Sequence, residues 1–167
     1  SLGLSLAGFG LIFAGIDTLQ DSMHILAQTF NLSTLPVSGI TAYLVVIAIG
    51  VLMTIIMQSS SAAAATTLTA LHTQAINFEQ AALLVIGAAI GTTVTAALAA
   101  IGSNVSAKRT ALAHITFNLA TGIIALFCFP LLLACITYLQ QAIALAPGAI
   151  SLAAFHTLFV LLGVILF

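Results

Sequence analysis

The stretch that decides the fold is IIMQSSSAAAA, residues 55–65, in which a glutamine and three serines interrupt a long apolar segment. The uncharged run 40–57 precedes these polar residues, and four alanines, which favour helix, follow them. One straight helix over residues 40–71 would be about 48 Å long, whereas the hydrocarbon core of a bilayer is about 30 Å thick. We therefore predict that the chain turns back near residues 58–61 as a re-entrant hairpin. Irregular polar backbone inside a membrane must be buried in protein or line a water-filled cavity, and transporters often bind substrates there.

The composition predicts an integral membrane protein. Hydrophobic residues make up 62% of the chain and charged residues 3%, whereas a soluble domain carries about 25% charged residues. The apolar runs are continuous and do not alternate with polar residues, which favours helices over barrel strands. We predict an all-α polytopic protein with about four to five transmembrane helices plus the hairpin. A net charge of −1 provides no basic surface for nucleic acid.

The other apolar runs predict further spans, and polar breaks separate them. The predicted spans are residues 2–16, 81–101, 110–137 and 149–167, with breaks at 28–38, 72–80, 102–109 and 138–147. The break that holds Lys108 and Arg109 is expected to face the cytoplasm, because positive residues concentrate on that side. We expect residues 1–167 to form one transmembrane domain that is part of a longer chain, because both ends of the sequence are apolar.

Two clusters of hydroxyl residues lie inside the apolar segments and have two interpretations. Serine and threonine often bond to their own helix backbone or allow close helix packing, and Gly87 and Gly91 are typical of a packing face. Alternatively, residues 58–61 and the free N–H groups of the next helix suit an oxyanion. The oxygen atoms of residues 91–95 suit a small cation such as sodium. Such a site would bind ions without burying a permanent charge.

The histidines and cysteines predict structural roles. His114 and Asn118 are four residues apart on one helix face, so we expect a hydrogen-bonded pair that fixes a helix contact, and we expect a similar role for His156. Cys128 and Cys135 are seven residues apart in an apolar run, which indicates neither a disulfide nor a metal site. The sequence shows no Ser–His–Asp order and no cluster of metal ligands, so we predict that the protein is not an enzyme.

Three segments in order resemble the type II sodium/phosphate cotransporter family: QSSSA at residues 58–62, GAAIGTTVTA at 87–96 and AHITFN at 113–118. Members of that family are similar to two inverted repeats, each with one QSSS hairpin. This chain has a single QSSS motif, so the resemblance implies one half of such a transporter, the C-terminal half.

The resemblance also implies roles for individual residues. Phosphate is expected at Gln58, Ser59, Ser60 and Ser61; sodium at Thr92, Thr93, Thr95 and Ser59; and structural support from His114 and Asn118. Two positions depart from the family pattern. Ala89 stands where the family usually has asparagine, and we expect the loss of this amide to affect sodium binding. Val160 replaces another asparagine, and we expect that change to affect packing more than the substrate.

The predicted function is sodium-coupled transport of inorganic phosphate by alternating access. Sodium would be the coupling ion, with no other metal and no cofactor. The expected partners are the lipid bilayer and either a second repeat of the same chain or a homodimer partner, and the expected location is a prokaryotic inner membrane. The alternatives are a transporter of another small anion, phosphate efflux, and a non-transporting membrane module that packs against or regulates a partner.

Overall fold

The computed structural model describes residues 2–29 and 39–167, and every regular element in them is an α-helix. The helices are α1 (Leu2–Thr29), α2 (Ile40–Met57), α3 (Ser60–His72), α4 (Phe78–Ala100), α5 (Val105–Phe127), α6 (Phe129–Ala142) and α7 (Ala149–Leu166). Five of them, α1, α2, α4, α5 and α7, are long and apolar enough to cross a membrane. The predicted fold class, an all-α polytopic membrane protein, is confirmed.

The chain breaks at the predicted glutamine and serine, between α2 and α3. Gln58 has left-handed backbone angles (φ 53°, ψ 25°), and Ser59 is extended. The Ser59 hydroxyl oxygen then accepts a hydrogen bond from the Ala62 N–H at 3.2 Å, which caps the start of α3. A serine at this position satisfies one of the N–H groups that a new helix leaves without a partner.

The break reverses the chain direction, which makes α2 and α3 a helical hairpin. Gly50 of α2 lies against Leu84 and Gly87 of α4, and farther along both helices Thr54 lies against Gly91, so α2 and α4 run parallel. In α3 the order is opposite, because Ser60 and Ser61 share a cavity with Thr92, whereas Leu68, later in α3, shares another cavity with Val85, which comes earlier in α4.

The hairpin enters from the end of the bundle where α4 begins. There the Tyr43 hydroxyl donates a hydrogen bond to Glu79 at 3.0 Å, which links the start of α2 to the start of α4. From Phe78 to Thr92, α4 rises about 21 Å, less than the roughly 30 Å of a hydrocarbon core. The hairpin tip beside Thr92 therefore lies at membrane depth, as a re-entrant hairpin requires.

The predicted single span over residues 110–137 is wrong, because the chain forms two helices there. Helix α5 ends at Phe127, and α6 begins at Phe129 after a turn at Cys128. Pro130 explains the turn, since proline donates no backbone hydrogen bond and its ring clashes with the preceding turn of a continuing helix. The following connector is correspondingly short, residues 143–148.

Two other predicted boundaries were also wrong. Helix α1 passes Asp17 and continues to Thr29, and the hydroxyls of Thr18 and Ser22 bond to carbonyls one turn earlier in that helix. Lys108 and Arg109 lie in the first turns of α5 and not in a loop, because the Asn104 side chain caps the helix just before them. Most of the predicted break at residues 28–38 lies outside the described residues.

Aromatic side chains join the helices at the end where the hairpin enters. The ring of Phe129 lies 5.0 Å from that of Tyr43 and 6.1 Å from that of Phe155, both at steep angles. Phe155 also contacts Phe78 at 6.4 Å. These edge-to-face contacts connect α2, α4, α6 and α7 around two fully buried phenylalanines.

The Gly50–Gly87 contact predicts a strong effect of a single methyl group. A Cβ atom at Gly87 would overlap the Ile47 carbonyl oxygen, which is backbone and cannot rotate away. We expect Gly87→Ala to destabilise the protein by about 1–3 kcal/mol or more, measured by unfolding in mixed micelles with dodecyl sulfate.

The matched control is Gly15→Ala in α1, where no atom of the described residues lies within 4 Å of the added atom. Alanine favours helix, so this variant should be as stable as the wild type or more stable by up to about 1 kcal/mol. Wild-type stability of Gly87→Ala would show that α2 and α4 do not depend on this contact.

Candidate functional site

A cavity of about 320 Å³ lies where α3, α4, α5 and α7 meet, and we call it the central cavity. Its lining includes residues from all three segments singled out in the sequence. The lining residues are Ser60, Ser61, Ala64, Val85, Ala88, Ala89, Thr92, His114, Asn118, His156 and Val160. The fold thus brings together polar groups that are up to about 100 positions apart in the chain, as ligand sites commonly do.

The start of α3 offers hydrogen-bond donors to the central cavity. Ser60 and Ser61 are the first two residues of this helix, and both line the cavity. Among the described residues, neither their hydroxyls nor their backbone N–H groups have a hydrogen-bond partner, whereas Ala62 and Ala63 bond to Ser59. Free donors at the positive end of a helix dipole favour a bound anion.

On the other side of the cavity, α4 and α5 are joined by a side-chain network. The Thr92 hydroxyl donates to the Ala89 carbonyl at 2.6 Å and lies 3.1 Å from His114 Nε2. The Asn118 amide nitrogen donates to the His114 carbonyl at 3.0 Å and lies 3.3 Å from His114 Nδ1. Since Thr92 uses its proton on Ala89, the Thr92 oxygen can accept a hydrogen bond from His114 in the tautomer that carries its proton on Nε2.

A second cavity, of about 640 Å³, lies between α4 and α5 and shares Thr92 and His114 with the central cavity. All of its lining side chains are alanine, threonine or histidine, and they include Thr95 and Thr110. The Thr95 hydroxyl donates to the Thr92 carbonyl at 2.8 Å. Thr92 therefore lines both cavities, and its carbonyl oxygen accepts a hydrogen bond from a second threonine.

Four of the residues predicted for ion binding do not line the central cavity. Gln58 is exposed at the hairpin tip, and its amide nitrogen donates to the Ile55 carbonyl. Ser59 caps α3, Thr93 is 7% exposed within the helix bundle, and Thr95 lines the second cavity. The predicted residues that meet in the central cavity are Ser60, Ser61, Thr92, His114 and Asn118.

Helix α7 contributes two cavity residues whose position the sequence reasoning missed. His156 was expected to be part of a structural hydrogen-bonded pair, but its ring has no hydrogen-bond partner among the described residues. The valine at position 160 was expected to affect helix packing, yet its side chain lines the cavity, as does that of Ala89. The signal that could have found both residues is their spacing of four, which places them on one helix face.

The central cavity is lined without permanent charge. Its polar groups are serine, threonine, asparagine and histidine, and the carboxylate of Glu79 is occupied by Tyr43 at the end of the bundle. No group of three or more histidine, cysteine, aspartate or glutamate side chains in the described ranges could hold a metal ion, and Cys128 and Cys135 are free thiols. The site can thus offer neutral donors and oxygen ligands to small ions.

Comparison with known proteins gives a family match over most of the chain. The model of the Na+/Pi-cotransporter family matches residues 32–167. The chain is 31% identical over 173 aligned positions to the uncharacterized protein YqeW of Bacillus subtilis (strain 168), a match that covers 99% of this chain and 52% of YqeW. It is 38% identical over 101 residues to the sodium-dependent phosphate transport protein 2C of Rattus norvegicus, covering 58% of this chain and 16% of the rat protein.

The chain therefore spans about half the length of the bacterial relative and a smaller part of the rat one. No solved structure matches it. The family is one of transporters and not of enzymes, and the predicted resemblance is confirmed. With its five apolar membrane-length helices and this family match, the chain is a multi-pass membrane protein that belongs to the Na+/Pi-cotransporter family.

Proposed function

We propose that the protein to which this chain belongs transports inorganic phosphate across a membrane, driven by sodium, through alternating access to the central cavity. The family match supports this proposal, as does the printed name of the rat relative. The observation that carries it is the start of α3, where Ser60 and Ser61 leave hydroxyl and backbone N–H donors free beside the cavity.

Phosphate would bind at these donors. Its oxygens accept hydrogen bonds from serine hydroxyls and from backbone N–H groups, and the helix dipole adds an attraction for negative charge. Ser59 and Gln58 complete the proposed site at the hairpin tip, next to Ser60 in the chain. Gln58 now bonds to Ile55, so it would have to turn its amide toward the anion when phosphate binds.

Sodium would bind at the oxygens around Thr92, with Thr93, Thr95 and Ser59 as further proposed ligands. The Thr95 hydroxyl lies 2.8 Å from the Thr92 carbonyl oxygen, and the Thr92 hydroxyl lies 2.6 Å from the Ala89 carbonyl oxygen one turn earlier. Na+ in membrane transporters is held by such neutral oxygens. Because the cavity lining carries no permanent charge, sodium would offset the charge of phosphate. Coupling follows if the anion binds well only when sodium is present.

Alternating access requires a second structural unit that moves against this one. We propose a second repeat of the same chain or a second copy of it, and the coverage of about half of YqeW supports the first. The side chains described in α1 are largely exposed and provide an apolar surface for this unit or for lipid. A prokaryotic inner membrane is the proposed location, supported by the bacterial relative.

The phosphate site predicts the effect of removing one hydroxyl. We expect Ser60→Ala in the full-length parent, reconstituted in proteoliposomes, to lower sodium-driven uptake of radiolabelled phosphate by about tenfold or more, because a donor to the anion is lost. Gln58→Ala should also lower uptake. Ser103→Ala is the control, since this serine lies in the α4–α5 loop and its hydroxyl donates to the Ala100 carbonyl at the end of α4.

Potassium in place of sodium separates the possible outcomes. Uptake of phosphate that is equal in both cations would contradict sodium coupling, and the absence of uptake under both would contradict phosphate as the substrate. Full uptake and wild-type phosphate affinity in Ser60→Ala would remove the serine donors from the proposed site.

The sodium site predicts a different effect for a change on α4. Thr92→Val keeps the side-chain shape but removes the hydroxyl that contacts Ala89 and His114. We expect the sodium concentration for half-maximal uptake to rise by about tenfold, with a loss of stability of about 1 kcal/mol from the broken hydrogen bonds. Sodium titration of uptake measures the first effect and unfolding in micelles the second.

Thr137→Val is the matched control, because the Thr137 hydroxyl bonds to the Leu133 carbonyl within α6, away from the cavity. It should leave the sodium dependence unchanged. An unchanged sodium dependence in Thr92→Val as well would place the coupling ion elsewhere.

A further inference from the structure

His156 differs from the other histidine of the central cavity in having free ring nitrogens. The ring of His114 is held between Thr92 and Asn118. The ring of His156 lies 6.4 Å from that of Phe159, and among the described residues it has no hydrogen-bond partner. The His156 side chain is exposed beside the central cavity, and an imidazole always carries at least one N–H donor. This donor is therefore available to a polar ligand in the cavity.

The cavity determines which kind of ligand this is. His156 shares the lining with Ser60 and Ser61, whose hydroxyl and N–H donors also have no partner in the described part of the chain. Three neighbouring residues that offer donors select a group rich in acceptors, such as the oxygens of a phosphate anion. On the other side, His156 borders an apolar groove lined by Ala65, Leu68 and other residues without charge.

The surroundings of His156 also determine how its charge can change. The residues that share its cavities from α3 and α4 are serine, threonine, alanine, leucine and valine, none of which is charged near neutral pH. From α5 they are His114 and Asn118. His114 is therefore the other titratable group facing this part of the cavity, and its ring nitrogens are already engaged with neutral partners.

We propose that His156 donates a ring N–H to the phosphate bound at Ser60 and Ser61, and that its protonation tightens this binding as the pH falls. The proposal rests on the proposed function and names a further specificity-determining residue for that site. A cationic imidazole adds a charge–charge attraction to its hydrogen bond with an anion, which a neutral ring lacks. Histidine gains its charge near pH 6.5, within the physiological range.

The test measures phosphate affinity of the full-length parent protein at about pH 7.5 and about pH 6, on either side of the ordinary histidine pKa. His156→Gln keeps an amide donor but cannot become charged, and His156→Leu removes the donor. The ratio of the Kd of His156→Gln to that of the wild type cancels the titration of phosphate itself, because both proteins bind the same mixture of anions. His72→Gln, at the exposed end of α3, is the control.

We expect the His156→Gln to wild-type Kd ratio to rise by about threefold to tenfold on acidification, and His156→Leu to bind phosphate about tenfold or more weakly at both pH values. His72→Gln should match the wild type. Wild-type affinity in His156→Leu, or a ratio that does not change with pH, would overturn the proposal. Unfolding in micelles identifies a variant that fails to fold, and His156→Gln, with a side chain of similar size, then carries the test.

The failure of this proposal differs from the failure of the proposed function. Sodium-dependent phosphate uptake by the wild type, with unchanged affinity in both His156 variants, would reject the role of His156 alone. A wild-type protein that neither binds phosphate nor takes it up with sodium would reject the proposed function and this inference with it.

Discussion

The close approach of α2 and α4 at Gly50 and Gly87 is the contact on which the rest of the structure depends. With hydrogen atoms as the only side chains at this crossing, backbone atoms of the two helices touch. Farther along, the Thr54 hydroxyl donates to the Ala88 carbonyl at 3.2 Å, which adds a polar link within the buried contact. In a membrane, helices gain little from the hydrophobic effect and associate through such close packing and through interhelical hydrogen bonds. This crossing fixes the height of α2 along α4, and so places the hairpin tip beside Thr92.

The position of the tip explains why the polar residues of the site are neutral. A permanent charge at membrane depth is costly. Serine, threonine and asparagine side chains cost less when no ion is bound, because they can form part of their hydrogen bonds within the protein. Thr92 and Asn118 are satisfied in this way through Ala89 and the His114 carbonyl. Ser60, Ser61 and His156 keep free donors, which makes them the unsatisfied side of the cavity. We place the cation on the side of Thr92, where the polar groups already have hydrogen-bond partners. We place the anion on the side of Ser60, Ser61 and His156, where the donors are free.

Of the two helix breaks, one could be predicted from the local sequence and the other could not. The break at Gln58 and Ser59 was predictable, because a long apolar run cannot exceed the bilayer and because serine caps helices. The break at Cys128 was missed although Pro130 marks it, because a proline inside an apolar run can also produce a mere kink. The start of α5 was misplaced for a similar reason: Asn104 could be read as a loop residue, but its side chain caps the helix.

The sequence alone determined the class of the protein, the number of membrane-length helices, the hairpin break and the family. These follow from composition, run length and short motifs, which are properties of neighbouring residues. Only the tertiary structure decided that Ser60, Thr92, Asn118 and His156 line one cavity, that Val160 faces it, and that Gln58 and Thr93 do not line it. The physical reason is that lipid is as apolar as the protein interior, so the hydrophobic pattern of a membrane helix hardly marks its packed face. The faces that meet are set by small residues and hydrogen bonds between helices, here Gly50 with Gly87 and Thr92 with His114.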